Sequence, residues 1–134
     1  VYESQGIRQD ALDDAARVLS TIGVVLAPAP PGRASDVRIA IEGDDRTHCE
    51  AAPRVAYAYY TRGEIYVCPD YIGTKFENGP TLAHELGHIL GLGHLPDGQV
   101  GIFAAYQDGE TFTDLTTDDV ILWLTCRTCG HVGQ

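Results

Sequence analysis

Basic residues are scarce in this 134-residue chain: nine Lys and Arg stand against 19 Asp and Glu, for a formal net charge of −10. Such a surface repels nucleic acid and anionic lipid, and no basic patch interleaved with aromatics interrupts it. Long apolar runs are missing too. None approaches the ~20 residues that a helix needs to cross a bilayer, so the chain is not expected to span a membrane. Internal repeats and low-complexity tails are absent, which excludes stacked-repeat architectures. Methionine is absent altogether. The chain opens Val1-Tyr2-Glu3, with no initiating Met and neither the basic nor the apolar stretch of a signal peptide, as a processed or trimmed chain would. With 44% hydrophobic residues, this length suits one domain over 1–134 that buries roughly two-thirds of its unfolded surface.

Four cysteines are present: Cys49, Cys68, Cys126 and Cys129. They permit three pairings. Disulfides 49–68 and 126–129 are the preferred arrangement, in a secreted domain. The competing reading is a cytosolic protein with Cys126 and Cys129 as a redox pair, or as a second zinc site with His131. The second CxxC of a zinc ribbon is missing.

Hydrophobic periodicity predicts an amphipathic helix over 8–22, with Ala11, Leu12, Ala15, Ala16, Leu19 and Ile22 on one side and Asp13, Asp14 and Arg17 on the other. Gly23 is its stop signal. Val24-Val25-Leu26 is a candidate first strand. Val37 to Ile41 alternates with period two and predicts a central strand. Val55 to Tyr60 and Glu64 to Cys68 form a predicted hairpin about Thr61-Arg62-Gly63. A long connection, Pro69 to Pro80, precedes a helix over about 82–90, for which Thr81 is the expected N-cap. The last helix begins near Leu115, with Thr116 or Thr117 as cap and acidic residues in its first turn. This order predicts a small α+β domain with a mixed sheet.

The chemistry is concentrated in His84-Glu85-Leu86-Gly87-His88-Ile89-Leu90-Gly91-Leu92-Gly93-His94. His84 and His88, four residues apart, share one helix face and can grip a zinc ion at ~2.0 Å. Glu85 can reach a zinc-bound water without being a ligand, and would take its proton as the oxygen attacks a carbonyl carbon. It would then hand that proton to the leaving amine. His94 falls off the His84/His88 face if the helix simply continues. It returns to the metal only if the backbone turns, which Gly91 permits and Gly93 eases. The fourth corner stays open for water; Asp97 is the candidate for closing it in a purely structural site.

The eleven-residue string resembles the HExxHxxGxxH signature of the metzincins, a clan of zinc endopeptidases, with His84, Glu85, His88, Gly91 and His94 matching position for position. The order of elements is most similar to the matrixins, the matrix-metalloproteinase-like group. Matching at the level of residues is confined to about 81–124. The resemblance implies a small single-domain zincin-like fold: a mixed, mostly parallel sheet with an antiparallel edge strand, an active-site helix and a C-terminal helix. Metzincins carry a methionine-containing turn beneath the three imidazoles. Here 100–106 resembles that turn, with Ile102 in the methionine position and Phe103 beside it. Ile102 fills a similar volume without the adaptability of a thioether.

The resemblance further implies a secreted, monomeric zinc endopeptidase whose protein or peptide substrate lies extended against a sheet edge. The hairpin from Val55 to Val67 is the candidate edge. A specificity pocket would lie beside His84, bordered by Phe103 to Tyr106, and Tyr106 would line it, steady an oxyanion or simply pack. Structural calcium is common in matrixins. Asp36, Asp44, Asp45 and Asp70 are available donors, without the ordered loop of an EF-hand. Asp118 and Asp119 either bond back to the motif region or sit as exposed first-turn carboxylates, the latter being favoured. Two other readings stand beside the peptidase: a catalytically weak or inactive metzincin-like domain that binds a peptide or protein, and a zinc amidase for small substrates.

Overall fold

The computed structural model describes residues 1–43, 49, 54–105 and 110–125. Cys126, Cys129, His131, Tyr106, Asp44 and Asp45 lie outside them. Among the described residues the fold is a small α+β domain with four strands and three α-helices: β1 (Tyr2–Gln5), α1 (Gln9–Ser20), β2 (Val37–Ile41), β3 (Ala56–Tyr59), β4 (Glu64–Val67), α2 (Gly79–Ile89) and α3 (Thr117–Thr125). A 3₁₀ turn, Pro69–Tyr71, follows β4. None of these helices is long and apolar enough to cross a membrane.

The sheet order is β1-β2-β4-β3. β1 runs parallel to β2 and β2 parallel to β4, while β3 folds back antiparallel on β4 at the edge. The expected hairpin and central strand are thus both present, in a mixed, mostly parallel sheet. Alternation divides the two faces. Val37, Ile39, Ala58, Ile65 and Val67 enter the core, whereas Tyr57, Tyr59 and Tyr66 cluster on the other face with ring centroids 5.5–6.1 Å apart.

α1 buries Ala11, Leu12, Ala15, Val18 and Leu19, a helical stripe that packs it on α2. The chain leaves the helix through Gly23, at φ 81. The N-terminus of α1 is tied across the fold to Glu77, a fully buried carboxylate that accepts from the N–H groups of Arg8 (2.9 Å) and Gly73 (2.8 Å). That contact orders the connection leading into α2.

Several expectations need correction. Val24-Val25-Leu26 is not a strand: Val25 is 85% exposed, and the chain pairs with the sheet just beyond the segment, at a bridge between Tyr2 and Pro28. The first strand is Tyr2–Gln5, whose single buried residue, Tyr2, gave no alternating signal. α2 begins three residues earlier than expected. Its N-cap is Asn78, whose side chain accepts from the Thr81 N–H at 2.9 Å, so Thr81 lies inside the first turn and Pro80 fits there because its missing N–H is not needed. For α3 the cap is Thr116: its hydroxyl accepts from Asp119 N–H (3.2 Å) while Asp119 accepts from Thr116 N–H (2.9 Å), a reciprocal box.

Cys49 and Cys68 form a disulfide, as preferred from the sequence. It is anchored next to the sheet, since the Cys68 N–H donates to the Val55 carbonyl at 2.8 Å.

Candidate metal centre

α2 is buried on nearly every side, with His84, Glu85 and His88 among its buried residues. Its apolar neighbours Leu82, Ala83 and Leu86 belong to the core, so the two imidazoles are held by a helix that cannot fray into solvent. The helix ends where the ligand geometry needs it to. Gly91 adopts φ 99, its N–H donates to the His88 carbonyl (3.0 Å), and the Leu92 N–H donates to the Gly87 carbonyl (2.8 Å). This is a Schellman end, whose left-handed residue suits glycine. It turns the chain back so that His94 joins the other two rings.

Ring centroids of His84, His88 and His94 lie 5.0, 5.3 and 5.0 Å apart, and one ring nitrogen from each lies within 4.8 Å of the others. The cluster is a buried histidine triad suited to a metal ion. Asp97 is exposed and outside it, and Asp36 and Asp70 join no group of three metal-ligating side chains among the described residues.

Backbone carbonyls orient the rings. His84 Nδ1 donates to the Ile102 carbonyl (2.6 Å) and His88 Nδ1 to the Leu92 carbonyl (2.8 Å). A carbonyl only accepts, so each Nδ1 carries the proton, and in the neutral ring Nε2 is the nitrogen that presents a lone pair. Burial, then the neighbouring His88, hold His84 down to about pKa 3; His94 adds to this and the bond to Ile102 opposes it. The ring is neutral at physiological pH, the form that binds a metal. The donor set therefore fits zinc: three converging ring nitrogens, with no fourth protein ligand among the described residues.

Glu85 is 3% exposed, with one carboxylate oxygen 4.0 Å from His84 Nε2. With His84 neutral this contact is not an ion pair. The other oxygen, Oε2, is buried without a hydrogen-bond partner among the described residues. Burial pushes the Glu85 carboxyl up to about 8, while the charge of Arg54 draws it down. A divalent cation beside it would favour the ionised form.

Ile102, whose carbonyl holds His84, and its neighbour Phe103 are buried, at 0% and 1% exposure. Phe103 lies against α2 at Gly87, where an added Cβ would stand 2.6 Å from its ring. Asp119 holds this turn. Far from being an exposed first-turn carboxylate, it is fully buried and accepts from the N–H groups of Ile102 (2.9 Å) and Phe103 (3.0 Å). Asp118 stays on the surface and accepts from Val100 N–H (3.1 Å). Gly91 and Ile102 therefore bond to His88 and His84 through their backbones, and Phe103 packs on the helix that carries those two histidines.

Arg54 was not singled out from the sequence. Its only signal there is a lone basic residue just ahead of an alternating strand.

Compared with known proteins, the chain matches no family model, no curated protein and no solved structure.

Proposed function

We propose that the chain is a zinc-dependent endopeptidase, a metzincin most similar to the matrixins, acting as a secreted monomer on extended protein substrates. The observation that carries this reading is the convergence of three imidazole nitrogens with a buried carboxylate alongside. Zinc held by His84, His88 and His94 would supply a Lewis acid that polarises the scissile carbonyl and activates a water near neutral pH. Glu85 takes the proton of the attacking water and delivers it to the leaving amine. Ile102 and Phe103 form the apolar floor that keeps the imidazoles in place. β3 pairs with β4 on one side and has no strand partner on the other among the described residues, so it offers an edge on which a peptide can add as a strand. The disulfide supports an oxidising compartment. No part of the reading needs a second domain or calcium.

The test compares the intact chain with Glu85→Ala, after zinc content is measured in both, on a denatured protein mixture. About one zinc per chain is expected in each. Internal cuts should appear with the intact chain and fall by roughly 10²–10⁴ in the variant. Equal cleavage by both would remove Glu85 as the base. Turnover of small amides alone would favour an amidase, and no turnover with zinc in place would favour a binding domain.

A further inference from the structure

The 19 acidic side chains outnumber the nine basic ones, and the fold does little to neutralise the surplus. Arg8, Arg62 and Lys75 each stand against a carboxylate already, and Arg17 serves two, Asp14 and Asp114. Lys75 is the only lysine, so no other flexible ammonium group can swing to a distant acid. Several carboxylates meet neutral donors alone among the described residues. Glu3 accepts from the Ser35 hydroxyl (3.0 Å), Asp13 from the Gln9 amide (2.9 Å) and Asp118 from the Val100 N–H (3.1 Å). Asp97 is exposed and joined to no cation among the described residues. A neutral donor satisfies an oxygen and leaves its charge in place.

These charges lie on β1, on α1, in the stretch after α2 and on α3, so the excess is a shell around the fold and not one cluster. Local arrangement adds to it. Asp10 and Asp14 stand four apart on α1, a like-charge spacing that opposes a helix. Glu3 lies opposite Arg38 in the sheet, yet Arg38 turns toward the Tyr66 hydroxyl. Two electrostatic effects then compete. Exposed ion pairs contribute little each, and their sum grows in proportion to their number. Self-repulsion grows roughly with the square of the net charge, here −10, and opposes the compact state. Salt weakens both, since the screening length falls from about 10 Å at 0.1 M to about 3 Å at 1 M. With so large a surplus of one sign, relief of repulsion decides the outcome.

We infer that this fold depends on salt: it is built for a medium of high ionic strength, where a diffuse atmosphere of monovalent cations screens its carboxylates. The cations occupy no fixed site, so sodium and potassium serve alike. The inference uses the charge distribution alone and does not draw on the peptidase reading.

The test follows thermal unfolding of the zinc-loaded chain from about 0.02 M to about 1 M NaCl, and again in KCl, with zinc content held equal at every point. Its partner is the combined variant Glu3→Gln, Asp13→Asn and Asp97→Asn, which removes three exposed charges but keeps the shapes and the acceptor oxygens. The wild-type midpoint should rise by about 5 °C or more, most of it below about 0.5 M, where the screening length changes fastest. The variant should begin higher in low salt and gain less. If the combined variant does not fold, Asp13→Asn decides in the same way by a smaller difference. A midpoint that is flat or falls with salt would overturn the inference. So would an equal, steady climb in both proteins, the mark of apolar burial strengthened by salt and not of charge. A gain confined to one of the two cations would replace the diffuse atmosphere by a fixed site. The salt series reads the same whether or not the chain cleaves peptides, so the failure of one reading leaves the other to its own experiment.

Discussion

Asp119 accepts a hydrogen bond from the peptide N–H of Ile102 at 2.9 Å, and the carbonyl of that same residue accepts from His84 Nδ1 at 2.6 Å. One residue thus joins the last helix to an imidazole of the histidine cluster. The carboxylate also accepts from Phe103 and Thr116, so a single buried side chain fixes the floor turn and caps α3 together.

Replacing Asp119 by Ala should therefore strip three backbone N–H groups of their acceptor. The expected loss is about 3 kcal/mol of stability, read from urea unfolding. Zinc affinity should fall as well, by about ten-fold, because the carbonyl that orients His84 is no longer held. A stability loss with unchanged zinc affinity would show that the floor turn does not position the ring.

Gly87→Ala puts a methyl 2.6 Å from the Phe103 ring, which is 1% exposed and has little room to retreat. Alanine is the better helix former by about 1 kcal/mol, but overpacking costs about 1–3 kcal/mol. The variant should be net less stable in thermal unfolding. Adding Phe103→Leu should recover part of the loss, a coupling that a double-mutant cycle measures.

Reducing the Cys49–Cys68 disulfide should cost about 3 kcal/mol, from the freedom regained by a loop closed across a sequence separation of 19. The loss should be visible as a lower urea midpoint under reducing conditions. Hydrogen exchange should also quicken at the Cys68 N–H, which bonds to Val55 beside the bridge.

For the metal-free chain, pH acts through His84 and Glu85 in opposite directions. His84 titrates at about 3 in the fold against an ordinary 6.5, so below about 6.5 the unfolded chain binds a proton that the folded chain refuses. Stability from this group is full above 6.5 and declines as pH falls toward 3. Glu85 titrates at about 8 against 4.5, so between those values the folded chain is the one that holds the proton, and stability declines as pH rises. Chelated protein should be most stable in mildly acid solution, with losses toward both sides in urea titrations across pH 3–9. Removing Glu85 should abolish the alkaline loss alone.

Much of the arrangement was legible in the order of residues. The motif helix, its end at Gly91 and the return of His94 followed from spacing, because helical periodicity and the tolerance of glycine for positive φ are local properties. Elements whose identity depends on partners were not legible. Val24-Val25-Leu26 has the composition of a strand, but the place beside β2 is taken by Tyr2–Gln5. Asn78 and Thr81 are both good caps, and only the folded helix shows which side chain accepts the bond. Asp119 reads the same in the sequence whether it faces solvent or the floor of the site.

Between Leu90 and Thr116 the described residues contain no helix or strand, yet this stretch delivers His94, Ile102 and Phe103. Its shape relies on scattered ties such as the Leu95 N–H to the Phe103 carbonyl at 3.0 Å. A cation clasped by the imidazoles would then also buckle this strap to α2. Chelation should unfasten that strap first while α1 and the sheet keep their form.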